Sequence, residues 1–294
     1  MGHKPRTQTA PAAKSKIQIV KSEIFDFPWL VHGFSTRVGG CSDAYGGASL
    51  NLGFTKDDAH ASVELNREAF LRALGAADGD WRLVTQRQVH SDLIHRVTDA
   101  DTHFTGDGLV TNAPGLLLAV QTADCLPVLL VDTKRRAVGA FHAGWRGTLK
   151  RIAEKGVGEM RRQFASVPGD LRAAIGPGIH SCCYQVGEEV REKFHSQFAY
   201  AGEIFREVRE SNPVHEKYPL LFLNARPPGH GPEEALLYLD LAAANARQLL
   251  DAGVPAENIS ASPLCTSCRT DLLFSYRKEK GMVGRLMGVV GIRP

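Results

Sequence analysis

No apolar run in this chain approaches the ~20 residues needed to cross a bilayer as a helix, so no membrane-spanning helix is expected. One-sided charge is lacking too. The 35 Lys and Arg residues against 32 Asp and Glu leave a net charge of +3. The basic residues are scattered, with only short clusters such as Lys134-Arg135-Arg136. No strong field therefore draws nucleic acid or an anionic membrane, and neither is expected as a partner. Met1–Lys16 has no apolar stretch and is not a secretory signal, so the expected compartment is the cytoplasm. The six cysteines, Cys41, Cys125, Cys182, Cys183, Cys265 and Cys268, are then expected to be thiols or metal ligands rather than a disulfide framework. Several signatures are missing as well: G-x-x-x-x-G-K-[ST], G-x-G-x-x-G, G-x-S-x-G and H-E-x-x-H. None of the 11 histidines forms a His-x-His pair, which argues against a three-copper oxidase centre.

What is present is a chain of 294 residues, 43% of them hydrophobic, long enough for a sizeable core. Residues 1–16 read as a disordered tail and 17–294 as a single catalytic domain. Trp29–Arg37 reads as a strand and Ser62–Leu74 as a helix stopped by Gly75. Arg82–Val97 reads as one long strand with Gln86, Gln88 and His90 on a shared face. Gly115–His142, the most apolar stretch, reads as a β-hairpin. Helices are expected from Thr148, over Glu188–Phe198 and over Leu236–Leu250, the last stopped by Gly253. Strands are expected at Arg172–Ile179, Asn258–Pro263 and Gly284–Ile292. Strands and helices mix without regular alternation, so the fold class is an α/β (α+β) layered single domain with a mixed, largely antiparallel sheet.

Three polar residues stand at the ends of apolar strands: His90 in Arg87-Gln-Val-His-Ser-Asp92, Cys125 in Gln121-Thr-Ala-Asp-Cys-Leu-Pro127, and His142 before Ala-Gly-Trp-Arg-Gly147. Taken alone, Cys125 reads first as a small buried apolar residue, and His90 or His142 equally well as a hydrogen-bonded core histidine. Together they could form a zinc triad with an open fourth position, although their spacing matches no compact zinc finger. Cys265-x-x-Cys268 would need a second pair to hold a structural metal. The adjacent Cys182-Cys183 offers that poor geometry, and no catalytic role is expected of Cys265/Cys268. The Gly-rich turns Gly33–Arg37 and Gly176–Ile179 could cradle an anion, with Arg37 and Arg146 as phosphate ligands; tight structural turns are the alternative.

Eight segments appear in order: His32-Gly-Phe-Ser-Thr-Arg-Val-Gly-Gly40, Ser49-Leu-Asn-Leu-Gly53, Gln88-Val-His-Ser91, Gly106-Asp-Gly-Leu-Val-Thr111, Thr122-Ala-Asp-Cys-Leu-Pro-Val128, Phe141-His-Ala-Gly-Trp-Arg-Gly147, Ile175-Gly-Pro-Gly-Ile179 and Phe274-Ser-Tyr-Arg277. From about residue 20 onward the chain closely resembles the YfiH-type laccase-domain family, also called polyphenol-oxidase-like. The resemblance implies a metal site of His90, Cys125 and His142. It also implies zinc-dependent phosphorolysis of purine nucleosides (adenosine, inosine, methylthioadenosine), with adenosine deamination in the same pocket. Purine nucleoside and phosphate would be the partners, with Arg37 and Arg146 facing phosphate, Asp124 moving protons or orienting a ligand, and Gln88 contacting substrate. The alternatives are a copper-dependent polyphenol oxidase, a peptidoglycan editing factor, and an amidase with Cys125 as nucleophile and a histidine as base.

Overall fold

The computed structural model describes residues 16–76, 80–100, 102–209, 217 and 235–294. The tail expected over Met1–Lys16 lies outside the described residues except for Lys16.

Two mixed sheets lie back to back with helices on their outer faces. The first runs in the order Ile19–Val20, Leu30–Ser35, Leu286–Ile292, Leu116–Thr122, Arg82–Val84. Its pairs are antiparallel except the last, which is parallel. The second runs Ile259–Ala261, Leu171–Ile175, Leu126–Asp132, Ala137–Ala143, Gly108–Thr111, Ile94–Arg96. Its inner pairs are antiparallel and its two outermost pairs parallel.

Alternate side chains along the central strands explain the layering. Phe34, Leu118, Val120 and Val290 of the first sheet meet Leu129, Val131, Val138 and Ala140 of the second. The intervening residues face outward: Val31, Leu117, Ala119 and Val289 pack with Phe70 of the His60–Ala73 helix. On the far side Leu126, Val128, Leu130 and Phe141 pack with the Ile152–Phe164 and Leu241–Asp251 helices. A strand covered on both faces reads as a continuous apolar run, and Leu126–Asp132, Ala137–Ala143 and Leu286–Ile292 are buried throughout. Burying each large apolar side chain contributes about 2 kcal/mol. Gly156 lets the Ile152–Phe164 helix lie close on the sheet, because a Cβ there would meet Phe141 Cζ at 2.8 Å.

Several expectations from the sequence change. Arg82–Val97 is not one strand but three short pieces, Arg82–Val84, Gln86–Arg87 and Ile94–Arg96, with a loop between the last two. Leu126–Asp132 and Ala137–Ala143 do form a hairpin, yet Leu116–Thr122 belongs to the other sheet. The chain changes sheets at Ala123–Cys125, where Asp124 has φ +93°. Leu236–Leu250 divides into a strand, Leu236–Leu239, and a helix, Leu241–Asp251. The Asp240 side chain caps that helix by accepting from the Ala243 N–H. The backbone of both Gly-rich turns is engaged within the fold: the Arg37 N–H donates to the Leu272 carbonyl at 2.9 Å, and the Gly176 and Ile179 N–H groups to the carbonyls of Pro127 and Asp124 at 2.8 Å each. Gly33 lies inside a strand, Gly176 packs on Phe34, and a Cβ on Gly178 would meet Leu126 Cδ2 at 2.3 Å.

Candidate metal centre and cavity

The loop that breaks the Arg82–Val97 segment is organised by one carboxylate. Asp107, fully buried at the mouth of Gly108–Thr111, accepts from the Val89 N–H at 3.2 Å, the His90 N–H at 3.1 Å and the Ser91 N–H at 2.6 Å. The Ser91 hydroxyl adds a fourth bond at 2.7 Å, and His142 Nδ1 donates a fifth at 2.8 Å. A buried carboxylate needs this many donors to offset its desolvation. Capturing three consecutive N–H groups ends the strand and holds His90 at φ +57°. An ionised carboxylate can only accept, so His142 carries its proton on Nδ1 and presents Nε2 to the site.

Cys125 enters from the crossover between the sheets. The preceding Asp124 is held at its positive φ, a conformation that costs a non-glycine residue about 1–3 kcal/mol, by its own side chain. Its Oδ1 accepts from Thr266 Oγ1 at 2.6 Å and Ser275 Oγ at 2.7 Å, and its Oδ2 from the Arg277 N–H at 2.6 Å. Asp124 lines the cavity beside Cys125 with its carboxylate already engaged by the C-terminal loops.

The ligand atoms of His90, Cys125 and His142 all lie within 4.8 Å of one another. Cys125 Sγ is 3.9 Å from His90 Nε2, and the two imidazole rings are edge-to-face at 4.9 Å between centroids. Tetrahedral zinc with one thiolate and imidazole nitrogens places sulfur and nitrogen about 3.6 Å apart, so a metal fits with only small adjustments. The space is also shaped for it: a Cβ on Gly144 would meet Cys125 Sγ at 2.9 Å and His90 Cδ2 at 3.0 Å.

Charge favours the ligating form of the thiol. Burial pushes Cys125 up, but the charge and hydrogen bond of His142, with a hydrogen bond from His90, outweigh it and bring the thiol down to about 6. For His142 burial favours the neutral ring; the Cys125 thiolate and Asp107 prevail and raise it to about 9. Asp107 itself sits well below the usual carboxylate range, its burial outweighed by the bonds from His142 and Ser91.

Around the triad opens a cavity of 670 Å³, ample for a nucleoside. Its aromatic walls are Trp145, Tyr184 and Tyr276, and Arg146, Arg277 and Arg285 line it as well. The Arg146 guanidinium lies over Trp145 at 4.5 Å, and Arg277 over Tyr184 at 5.3 Å. Gln86, which also lines the cavity, has a buried side-chain amide whose nitrogen and oxygen both lack a partner among the described residues.

Of the residues singled out in the sequence, His90, Cys125, His142, Asp124, Gln88 and Arg146 line this one cavity. Gln88 binds protein rather than open space: its amide bridges both the N–H and C=O of Gln121, at 2.7 and 2.8 Å. Arg37 lies outside the lining. Its guanidinium is held by Glu279 at 2.9 Å and by the carbonyls of Thr270 at 2.8 Å and Tyr45 at 2.6 Å, over the Phe274 ring. The sequence reading gave no role to Asp107, Arg277, Arg285 or Tyr184, and placed Gln86 on the face of His90 without assigning it one. Asp107 and Arg277 stood inside quoted segments, and Asp107 carried a signal: a carboxylate flanked by two glycines at the start of an apolar strand.

A sequence model of the multi-copper polyphenol oxidoreductase laccase family matches residues 31–293. The chain is 37% identical over 263 residues to a purine nucleoside phosphorylase of Deinococcus radiodurans, covering 89% of this chain and 88% of that one. It is 36% identical over 275 residues to adenosine deaminase RL5 from an unknown prokaryotic organism, covering 88% and 94%. The crystal structure of Bacillus licheniformis YfiH superimposes with a TM-score of 0.76 at 34% identity, over 91% of this chain and 94% of that one.

Proposed function

The chain belongs to the multi-copper polyphenol oxidoreductase laccase family, and from that premise we propose that it is a zinc-dependent purine nucleoside phosphorylase whose site also deaminates adenosine. The observation that carries this reading is the presence in one cavity of a metal-type triad, three arginines and an amide with no partner among the described residues. Phosphorolysis breaks the bond between C1′ of the ribose and the base nitrogen and joins a phosphate oxygen to C1′, giving free base and ribose 1-phosphate. The Gln86 amide offers one donor and one acceptor, the pair needed to read the edge of a purine. Trp145, Tyr184 and Tyr276 supply flat apolar surface for the ring. Arg146 and Arg277, which also border a second hollow next to the first, can grip phosphate through guanidinium forks. Arg37, spent on Glu279, takes no part in this reading and instead fastens the segment that carries Ser275, Tyr276 and Arg277. His90, Cys125 and His142 would hold the zinc, which when bound would supply a Lewis acid for polarising substrate or acidifying water.

The test is direct. Zinc-loaded protein with phosphate and adenosine, inosine or methylthioadenosine should release free base and the corresponding sugar 1-phosphate, ribose 1-phosphate from the first two and 5-methylthioribose 1-phosphate from the third; no base from any of the three sinks the proposal. A second reading has one specific observation in its favour. Asp107, His142 and Cys125 stand in the order of a carboxylate–imidazole–thiol relay, as an amidase nucleophile would need. The two diverge on metal: the phosphorylase loses activity on chelation, whereas a thiol amidase keeps it and dies on alkylation of Cys125. For the copper oxidase alternative, the second cluster of metal-type side chains among the described residues contains cysteines and no histidine.

A further inference from the structure

The two cysteine pairs that looked ill-matched in the sequence meet in space. Cys182 and Cys183 lie on a tight turn in which the Cys183 and Tyr184 N–H groups both donate to the His180 carbonyl, at 2.9 Å each. Cys265 and Cys268 lie on a second turn, closed by the Arg269 N–H on the Cys265 carbonyl at 3.0 Å. The turns are joined by a bridge between Gly178 and Cys265 and by the Thr266 N–H on the Gly178 carbonyl at 2.9 Å. All four sulfurs lie within 4.8 Å of one another, and all four cysteines are free thiols. Cys268 Sγ is 3.5 Å from Cys182 Sγ and 3.4 Å from Cys183 Sγ.

We propose that Cys182, Cys183, Cys265 and Cys268 form a second metal site, a closed tetrathiolate that takes zinc for structural purposes. Four sulfurs around zinc at about 2.3 Å stand about 3.8 Å apart, close to the separations seen. The donors are all soft, which selects zinc over magnesium or calcium. The Cys265 turn has the form of a metal knuckle, a Cys-x-x-Cys turn closed by the Arg269 N–H on the Cys265 carbonyl, so both of its sulfurs face the Cys182-Cys183 turn. Cys182 and Cys268 are exposed while Cys265 is buried, so the ion has an entry from solvent and a fixed inner ligand. Four thiol ligands leave no open position, which separates this site from the His90–Cys125–His142 centre.

Position gives it a purpose. Tyr184, next to Cys183, forms a wall of the cavity. Thr266, next to Cys265, donates to Asp124, the residue before Cys125. A metal here clamps together two loops that otherwise meet through a few backbone bonds, and both loops support the cavity. The proposal does not depend on which substrate the cavity takes.

Metal counting on the intact chain tests it. Wild-type protein loaded with zinc and passed through a desalting column should hold about two zinc ions per chain. His142→Ala should hold about one, and Cys183→Ser/Cys268→Ser should also hold about one. Wild type that holds one zinc or less, with these four thiols reacting freely or found oxidised in pairs, overturns the site; so does the double variant retaining two. If the double variant fails to fold, cobalt decides on the His142→Ala background. Cobalt(II) bound there by four thiolates gives a near-ultraviolet sulfur-to-metal band several-fold stronger than one thiolate can. A band of single-thiolate strength or none refutes the proposal.

Discussion

Asp107 Oδ1 lies 2.8 Å from His142 Nδ1, with the two side chains 0% and 4% exposed. That contact fixes which nitrogen of His142 faces Cys125. It also ties the histidine to the loop bearing His90, because the same oxygen accepts from the His90 N–H. One carboxylate thus aligns two members of the triad.

Asp107→Asn keeps the shape and removes this alignment. One face of the amide is an NH₂, which must point either at the His142 Nδ1 proton or at the Ser91 donors, so a donor meets a donor. Zinc affinity is expected to fall by about 10–100-fold, the range for loss of a ligand's supporting carboxylate. Competition against a chelator of known affinity measures it. Affinity equal to wild type would show that His142 needs no such support.

Titration of the metal-free protein checks the electrostatics. The Cys125 thiol is lowered from 9.0 to about 6, so its thiolate predominates above that pH and is lost below it. Alkylation of Cys125, followed by mass spectrometry of its peptide, should show a midpoint near 6, whereas an ordinary cysteine titrates near about 8.5. Asp107→Asn should move the midpoint upward, since His142 then holds its proton less firmly. A wild-type midpoint near 8.5 would refute the thiolate–imidazolium pair, and zinc should block alkylation altogether.

Much of this site was legible in the sequence because ligand chemistry is local. His90, Cys125 and His142 are residue types with few other reasons to cluster at the ends of apolar strands, and the ordered segments around them carried the family. The fold class survived for a related reason: strands buried on both faces leave long apolar runs, such as Leu126–Asp132. Residues that act through distance were not legible. Nothing near Asp107 in the chain says that it faces His142, 35 positions later. Arg37 and Arg277 look alike as arginines in loops. Only the fold spends Arg37 on Glu279 and leaves Arg277 beside the cavity. The pairing of Cys182-Cys183 with Cys265-x-x-Cys268 likewise spans more than 80 residues, 85 between Cys183 and Cys268.

The two arginines singled out in the sequence should separate by experiment. Arg146→Ala is expected to raise the KM for phosphate about tenfold or more with little change in thermal stability, and lysine should rescue only in part, lacking the fork. Arg37→Ala removes bonds to Glu279, Thr270 and Tyr45 and the contact with Phe274. It should lower Tm by a few degrees and depress kcat through the Ser275–Arg277 segment. A selective rise in phosphate KM for Arg37→Ala, with Tm unchanged, would return phosphate binding to Arg37.

Gly144→Ala probes the metal centre with a single added carbon. Gly144 has φ −79° and ψ 172°, extended backbone that alanine adopts without strain, so the folded chain should tolerate the change. The added Cβ, however, would meet Cys125 Sγ at 2.9 Å and His90 Cδ2 at 3.0 Å, both closer than ordinary contact. To relieve this the sulfur and the imidazole must move apart by a few tenths of an ångström. Zinc sites tolerate only about 0.2 Å of error in ligand distance, so that displacement falls on affinity rather than on stability. The expected result is a loss of zinc affinity of tenfold or more and a matching loss of phosphorolysis, with the Tm of the metal-free protein nearly unchanged. Gly158→Ala serves as the control. That glycine is on the exposed face of the Ile152–Phe164 helix, a Cβ there meets nothing within 4 Å, and the substitution should raise stability by roughly 0.5–1 kcal/mol without touching the metal. Full zinc occupancy and full activity in Gly144→Ala would mean that His90 and Cys125 do not hold a common ion across this gap.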